Sequence, residues 1–398
     1  MKFRHMFACA AAVVTAVAGG VVATSSSAGA TPAPVKIAWL GFETGVYAQP
    51  TRHNDIELAI KQINAKGGVD GHMFQYTPYD TGFGPSTAVT GTQQALASHP
   101  TAIMGYSVDD MIRATASLLR QSGLPVLSFA EGPAALSTVN HVPNLFTTVA
   151  DGPVSSVTAN MDYAYKAHHP KSAGIFVTDD TASIADGNVA KAVLQKLGVK
   201  NITVETASDT ATDATTQALA LKGKSLIFQD GFPTVLAVFD NELRQVGYTG
   251  PIADGQSGDF LSAFHLVKQN VLDNYVYTPY CAADVLNTPQ AKAYVSAYQA
   301  AYPGDSMRTA TPYAYDSVML LAAAIKANKG SLDPAKLIKT MDHMTYHGVC
   351  GTYHADVNHD MLHQITVVSL KDPNHPLLLA KYQEPALTSA QIKKFSGV

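Results

Sequence analysis

The regular alternation of strand-like and helix-like segments constrains this chain more than any other feature. Its first unit shows how. Residues 35–40 read as a strand, and a glycine-containing loop, 41–49, follows. Ile56, Ile60 and Ile63 then recur at helical spacing with Ala59 beside them, so one helix face is apolar and can lie on a sheet. Lys66 suits the negative end of that helix, and Gly67-Gly68 supplies the left-handed backbone needed just past it. A second strand, 73–78, comes almost at once. Strand, loop, helix, glycine turn and strand make one parallel βαβ crossover.

The pattern continues. Residues 85–98 read as a helix and 101–105 as a buried strand. A helix at 109–122 opens on Asp109-Asp110 and stops at Gly123, and 125–129 is a strand. This order belongs to a doubly wound parallel sheet. Gly132-Pro133 and His141-Val142-Pro143 punctuate a loop, and strand 144–149 leads to Asp151-Gly152-Pro153. A second alternating run follows, with helices at 154–167, 183–197, 213–221 and 233–246 and strands at 172–178, 201–206, 225–229 and 252–253. The last third supplies strand 275–280, helices 289–302 and 312–328, a short helix opened by Asp333-Pro334, and short strands at 351–354, 364–370 and 377–382. That is too little for a third core, so it completes the two lobes already begun.

With 398 residues the chain can build two domains of ordinary size. Hydrophobic residues at 46% against 15% charged ones exclude a disordered chain, and a net charge of −4 without a basic run excludes a nucleic-acid binder. Residues 1–30 read as a cleaved signal peptide: Lys2 and Arg4 precede an apolar run at 7–23 and the small-residue site Ala28-Gly29-Ala30. Cleavage leaves 25 bases against 31 acids, a net −6, and removes Cys9. Cys281 and Cys350 remain. In an oxidising compartment they can pair, or stand as two separate buried thiols.

Catalytic motifs fail on spacing. Gly255-Gln256-Ser257-Gly258 has its second glycine one residue early for a nucleophile elbow. Gly223-Lys224-Ser225 runs from helix to strand, the reverse of a phosphate loop, and Gly82-Phe83-Gly84 reads as a turn. His359 and His363 have metal-ligand spacing only on a helix, and their region reads as strands and turns. No metal or cofactor is expected. Asp109, Asp110 and Glu131 stand at the carboxyl ends of first-run strands, and Asp254, Gln256 and Asp259 at those of the second, where open parallel sheets bind ligands. Helix capping is the plain alternative for Asp109.

Several stretches, each modest alone, match one family in order and spacing. They are Thr44-Gly45-Val46-Tyr47-Ala48, Ile63-Asn64-Ala65-Lys66-Gly67-Gly68-Val69-Asp70-Gly71, Thr101-Ala102-Ile103-Met104-Gly105, Gln121-Ser122-Gly123-Leu124-Pro125-Val126, Tyr302-Pro303-Gly304, and Tyr315-Asp316-Ser317-Val318. The chain resembles the type I periplasmic binding proteins, specifically the leucine/isoleucine/valine-binding group of ABC-transporter substrate-binding proteins. The resemblance implies two doubly wound, Rossmann-like α/β lobes joined by a three-segment hinge, closing on a ligand in the cleft. Lobe 1 would comprise 35–150 plus 281–348, and lobe 2 would comprise 151–280 plus 349–398. The crossings would lie near 149–153, 279–283 and 348–352, which puts Cys281 and Cys350 on neighbouring crossings and implies a hinge disulfide.

The same resemblance implies a monomer in the periplasm that hands a small molecule to a membrane permease; a ligand sensor of the same fold is the alternative, and an exported enzyme ranks last. Amino-acid binders of the group grip ligand with small hydroxyl residues after the third and fourth strands. Here those places read Tyr106-Ser107-Val108-Asp109-Asp110 and Ser128-Phe129-Ala130-Glu131-Gly132. Gln256 stands where the group carries an acid, and Phe232 where it carries an aromatic. Phe42, Tyr47, Phe129 and Phe232 would surround the mouth. The implied ligand is thus an amino acid or a small amino-acid-like, aromatic or amide solute. A carboxylate ligand could use the backbone N–H groups at the helix start near Asp109, though Asp109 and Asp110 oppose it, and an ammonium group would suit Asp109 or Glu131.

Overall fold

A computed structural model describes residues 32–45, 48, 52–82, 84–150 and 152–396. The leader at 1–30 and Tyr47 lie outside the described residues.

The first sheet is built by β1 (Val35–Gly41), α1 (Arg52–Asn64), β2 (Phe74–Asp80), α2 (Pro85–Ala97), β3 (Ala102–Gly105), α3 (Asp109–Ser122), β4 (Val126–Ser128), a short α4 (Ser137–Asn140) and β5 (Leu145–Thr147). Its strands run in the order β2-β1-β3-β4-β5, all parallel. A central parallel strand is covered on both faces, and β1 divides its side chains accordingly. Val35, Ile37 and Trp39 pack with Ile56, Ala59 and Ile63, while Ala38 and Leu40 pack against the α2–α3 side with Ala88 and Ile112. Gly67 and Gly68 both take positive φ, as the sequence requires.

The second sheet takes α5 (Val157–His168), β6 (Ser172–Thr178), α6 (Thr181–Lys196), β7 (Asn201–Ala207), α7 (Thr215–Leu221), β8 (Leu226–Asp230), α8 (Pro233–Gln245), β9 (Ile252–Asp254), α9 (Gly258–Ala263) and β10 (Tyr275–Tyr277). The chain then returns to the first lobe with α10 (Pro289–Ala301), α11 (Pro312–Ala327), α12 (Pro334–His343), β11 (Thr345–His347), β12 (Thr352–Ala355) and β13 (Met361–Leu362). It re-enters the second lobe with β14 (Gln364–Ser369) and β15 (Leu377–Gln383), and ends in α13 (Ser389–Phe395). The second sheet is ordered β15-β14-β10-β9-β8-β6-β7; β14 runs antiparallel to both its neighbours and the other pairs are parallel. Among the described residues no helix is long and apolar enough to cross a membrane.

One boundary differs from the sequence expectation. Residues 349–362 belong with the first lobe, not the second. β11, β12 and β13 form their own antiparallel sheet, and Val349, Cys350, Tyr353 and Met361 share a core with Val35 and Trp39. The third crossing therefore falls at His363 rather than at 348–352. The hairpin is pinned locally: the Asp316 carboxylate on α11 accepts hydrogen bonds from Val349 N (2.8 Å), Cys350 N (2.9 Å) and the Tyr353 hydroxyl (3.1 Å).

A second buried carboxylate ties the halves of the first lobe together. Asp55 on α1 accepts bonds from the Tyr294 hydroxyl of α10 and from the Thr311 backbone N (2.8 Å) and hydroxyl (3.0 Å) at the head of α11. Its partners lie some 240 positions away, so this carboxylate holds together two stretches of chain separated by a whole lobe. Burial pushes its carboxyl up to about 6. Asp55→Ala strands these donors in a dry interior and is expected to cost about 3 kcal/mol. Urea unfolding should show a lower midpoint at unchanged slope; a loss under 1 kcal/mol would contradict the tie.

Candidate functional site

The carboxyl ends of both sheets face one cavity of about 360 Å³, within the range of small-molecule sites. The loop after β1 gives Phe42, that after β3 Ser107 and Asp109, and that after β4 Phe129 and Glu131. The second lobe adds Asp180 and Ser183 after β6, Asp230 and Phe232 at β8, and Gln256 and Asp259 after β9. Tyr280 and Cys281 come from the second crossing, Arg308 from the approach to α11 and Tyr313 from its first turn.

Of the residues expected at the site, Phe42, Ser107, Asp109, Phe129, Glu131, Phe232 and Gln256 line this cavity. Tyr106 and Ala130 do not, which corrects the sequence expectation. Both are fully buried in the core on the α2–α3 side, and the Tyr106 hydroxyl lies 2.6 Å from Thr92 Oγ1. The cause is backbone geometry. Tyr106 adopts a left-handed conformation (φ 60°), which sends its ring inward and brings Ser107 to the cleft. Beyond β4 an extended chain alternates faces, so Phe129 and Glu131 face the cavity while Ala130 faces the core. Asp254 also lies deeper than its position suggested. It pairs in register with Gln229 and is bonded by Gln229 Nε2 (3.2 Å) and Gly258 N (3.1 Å).

Glycines make room for two of the acids. Gly132 N donates to Asp109 Oδ1 (3.1 Å), and a Cβ at 132 would sit 1.9 Å from the other oxygen. A Cβ at 255 would sit 1.6 Å from Asp230 Oδ2. Burial pushes Asp109 up to about 6. Burial, and then the charge of Asp254, raise Asp230 well above the ordinary range. Asp180 caps α6 by accepting from Ser183 N (2.9 Å) and also accepts from the Thr178 hydroxyl (2.5 Å).

Arg308 was not visible as a site residue in the sequence, because no local pattern marks it. Its guanidinium donates to Asp259 (2.9 Å), to Asp284 and to the Tyr277 hydroxyl (3.0 Å). Aromatic rings form one wall: Trp39 packs 5.5 Å from Phe129, Phe129 meets Tyr313 edge-on at 5.1 Å, and Tyr313 lies 5.5 Å from Tyr280. Cys281 and Cys350 form a disulfide, with Cα atoms 5.4 Å apart, joining the second crossing to the hairpin of the first lobe. Among the described residues no group of three histidine, cysteine or acidic side chains is placed to hold a metal ion.

Two lobes, three crossings and a cavity at the carboxyl ends of both sheets define a cleft-type solute-binding protein. The chain belongs to the periplasmic binding protein family, whose model matches residues 34–374. It is 23% identical over 340 residues to the leucine-, isoleucine-, valine-, threonine-, and alanine-binding protein of Pseudomonas aeruginosa, covering 82% of this chain and 87% of that one. Solved structures share the fold. The branched-chain amino acid transporter substrate binding protein LivJ from Streptococcus pneumoniae, in complex with isoleucine, superposes with a TM-score of 0.74 at 20% identity, covering 88% of this chain and 99% of that one. A solute binding protein of an ABC transporter from Rhodopseudomonas palustris, in complex with p-hydroxybenzoic acid, gives 0.75 at 18%, covering 89% and 98%.

Proposed function

We propose that this chain is an exported solute-binding protein that captures a small molecule between its lobes by hinge closure and delivers it to an ABC permease. Its ligand is an amino acid or a small amino-acid-like, aromatic or amide solute. The observation that carries this reading is the cavity itself: it is lined by the strand-end loops of both lobes and by the second crossing, so closure about the hinge changes its volume directly. The Cys281–Cys350 disulfide suits a periplasmic location. The apolar leader at 1–30 supplies the export signal. The protein acts as a monomer.

A thermal-shift screen across amino acids, aromatic acids, amides and amines tests the proposal. A ligand at 100 times its dissociation constant should add about 2.7 kcal/mol of stability. If no small solute in any of these classes moves the melting temperature, the reading fails.

A further inference from the structure

We propose that the cleft selects an organic cation: an ammonium group on an apolar or aromatic body, with no free carboxylate. This rests on the cleft being the solute site and narrows the ligand class given above.

The charge balance points this way. Among the described residues, seven of the charged side chains lining the cavity are acids and one is a base, Arg308. That base is already committed to Asp259 and Asp284, so it does not stand free for a ligand carboxylate. Asp110 and Asp209 are exposed at the rim, while Asp109, Glu131, Asp180 and Asp230 are partly enclosed. They come from both lobes, and Asp109 feels the charge of Asp180 across the cleft. Burial already pushes Asp109 and Asp230 toward their protonated forms, and closure on an empty or anionic site does so further; a cation between the lobes favours the ionised forms and removes that opposition.

Gln256 supplies an independent sign. It is nine-tenths buried, it lines the cavity, and among the described residues its side-chain oxygen has no donor. Its amide nitrogen lies 3.4 Å from Ser156 Oγ. A buried acceptor without a donor is costly, and an ammonium N–H supplies the donor. Phe129, Tyr280 and Tyr313 add ring faces, which attract a cation through the quadrupole and shelter its apolar body.

The strongest opposing feature is the start of α3, which has no side-chain cap and could hold an anion. The first two residues of that helix are Asp109 and Asp110, so an anion there meets two carboxylates. A metal ion is a poor alternative, since the described acids form no group placed to ligate one.

Calorimetric titration with two matched series tests the charge. One series is 2-phenylethylamine, phenylalanine, phenylacetate and phenylacetamide; the other is isoamylamine, leucine, isovalerate and isovaleramide. Within at least one series the amine should bind at least tenfold tighter than the amino acid and the acid. Asp230→Asn and Asp109→Asn, checked for folding by circular dichroism, should each weaken the amine at least tenfold. A carboxylate-bearing or amide probe binding tightest in both series overturns the cation proposal and leaves the solute-binding reading standing. Amine binding that survives both substitutions also overturns it. Binding by no probe at all overturns both readings.

Discussion

Asp316→Ala is expected to destabilise the protein by about 3 kcal/mol near neutral pH, among the largest effects of any single substitution here. The carboxylate satisfies two backbone N–H groups and the Tyr353 hydroxyl in a fully enclosed site. Alanine leaves three donors unpaired, each worth about 1 kcal/mol or more. Gly348 lies so close that a Cβ there would sit 2.5 Å from Asp316 Oδ2, so the carboxylate is packed directly against the hairpin backbone. The loss should depend on pH in a definite direction. Burial pushes the Asp316 carboxyl from 3.8 to about 7, so between those values the native state holds more protons than the unfolded one. Its contribution is fully present below pH 4 and declines as pH rises through 7. Urea unfolding of native and variant protein at pH 5 and pH 8 should therefore show the larger difference at pH 5. A larger difference at pH 8 would mean that the three hydrogen bonds outweigh burial.

Opening the Cys281–Cys350 bond is the second large effect. The bond closes a loop with a sequence separation of 69, and the chain-entropy model gives it about 4 kcal/mol. For a chain of this size that corresponds to a melting temperature lower by about 5 °C. The Cys281→Ala, Cys350→Ala double variant, or the native protein under reductant, should show it by calorimetry. Identical melting temperatures with and without the bond would show that it adds nothing to the core packing and the Asp316 hydrogen bonds that already hold the hairpin.

Much of the architecture is legible in the sequence. Period-3.6 faces such as Ile56, Ile60 and Ile63, the Gly67-Gly68 stop, and the apolar strands between them report local forces, and those forces agree with the final packing. Other features depend on remote partners. The 345–362 hairpin is made of strands of two to four residues, too short for a periodicity to show, and its lobe is chosen by Asp316 thirty positions earlier. Arg308 has no local signature because its partners come from other parts of the chain. Within the site, the strand-end rule found the right loops but not always the right residue. One left-handed residue decides between Tyr106 and Ser107, and the register against Gln229 decides between Asp254 and Asp230.

The order in which the chain visits its lobes also governs when they can form. The first lobe's core needs residues from both ends of the span 35–361. The second sheet spans β6 to β15 and is complete only at Gln383. The largest first-lobe core and the β14–β15 edge of the second sheet are therefore completed only by segments near the end of the chain. During synthesis the segments of the largest first-lobe core emerge long before their final partners. The interleaved topology thus leaves the first lobe incomplete until the chain has returned to it from the second.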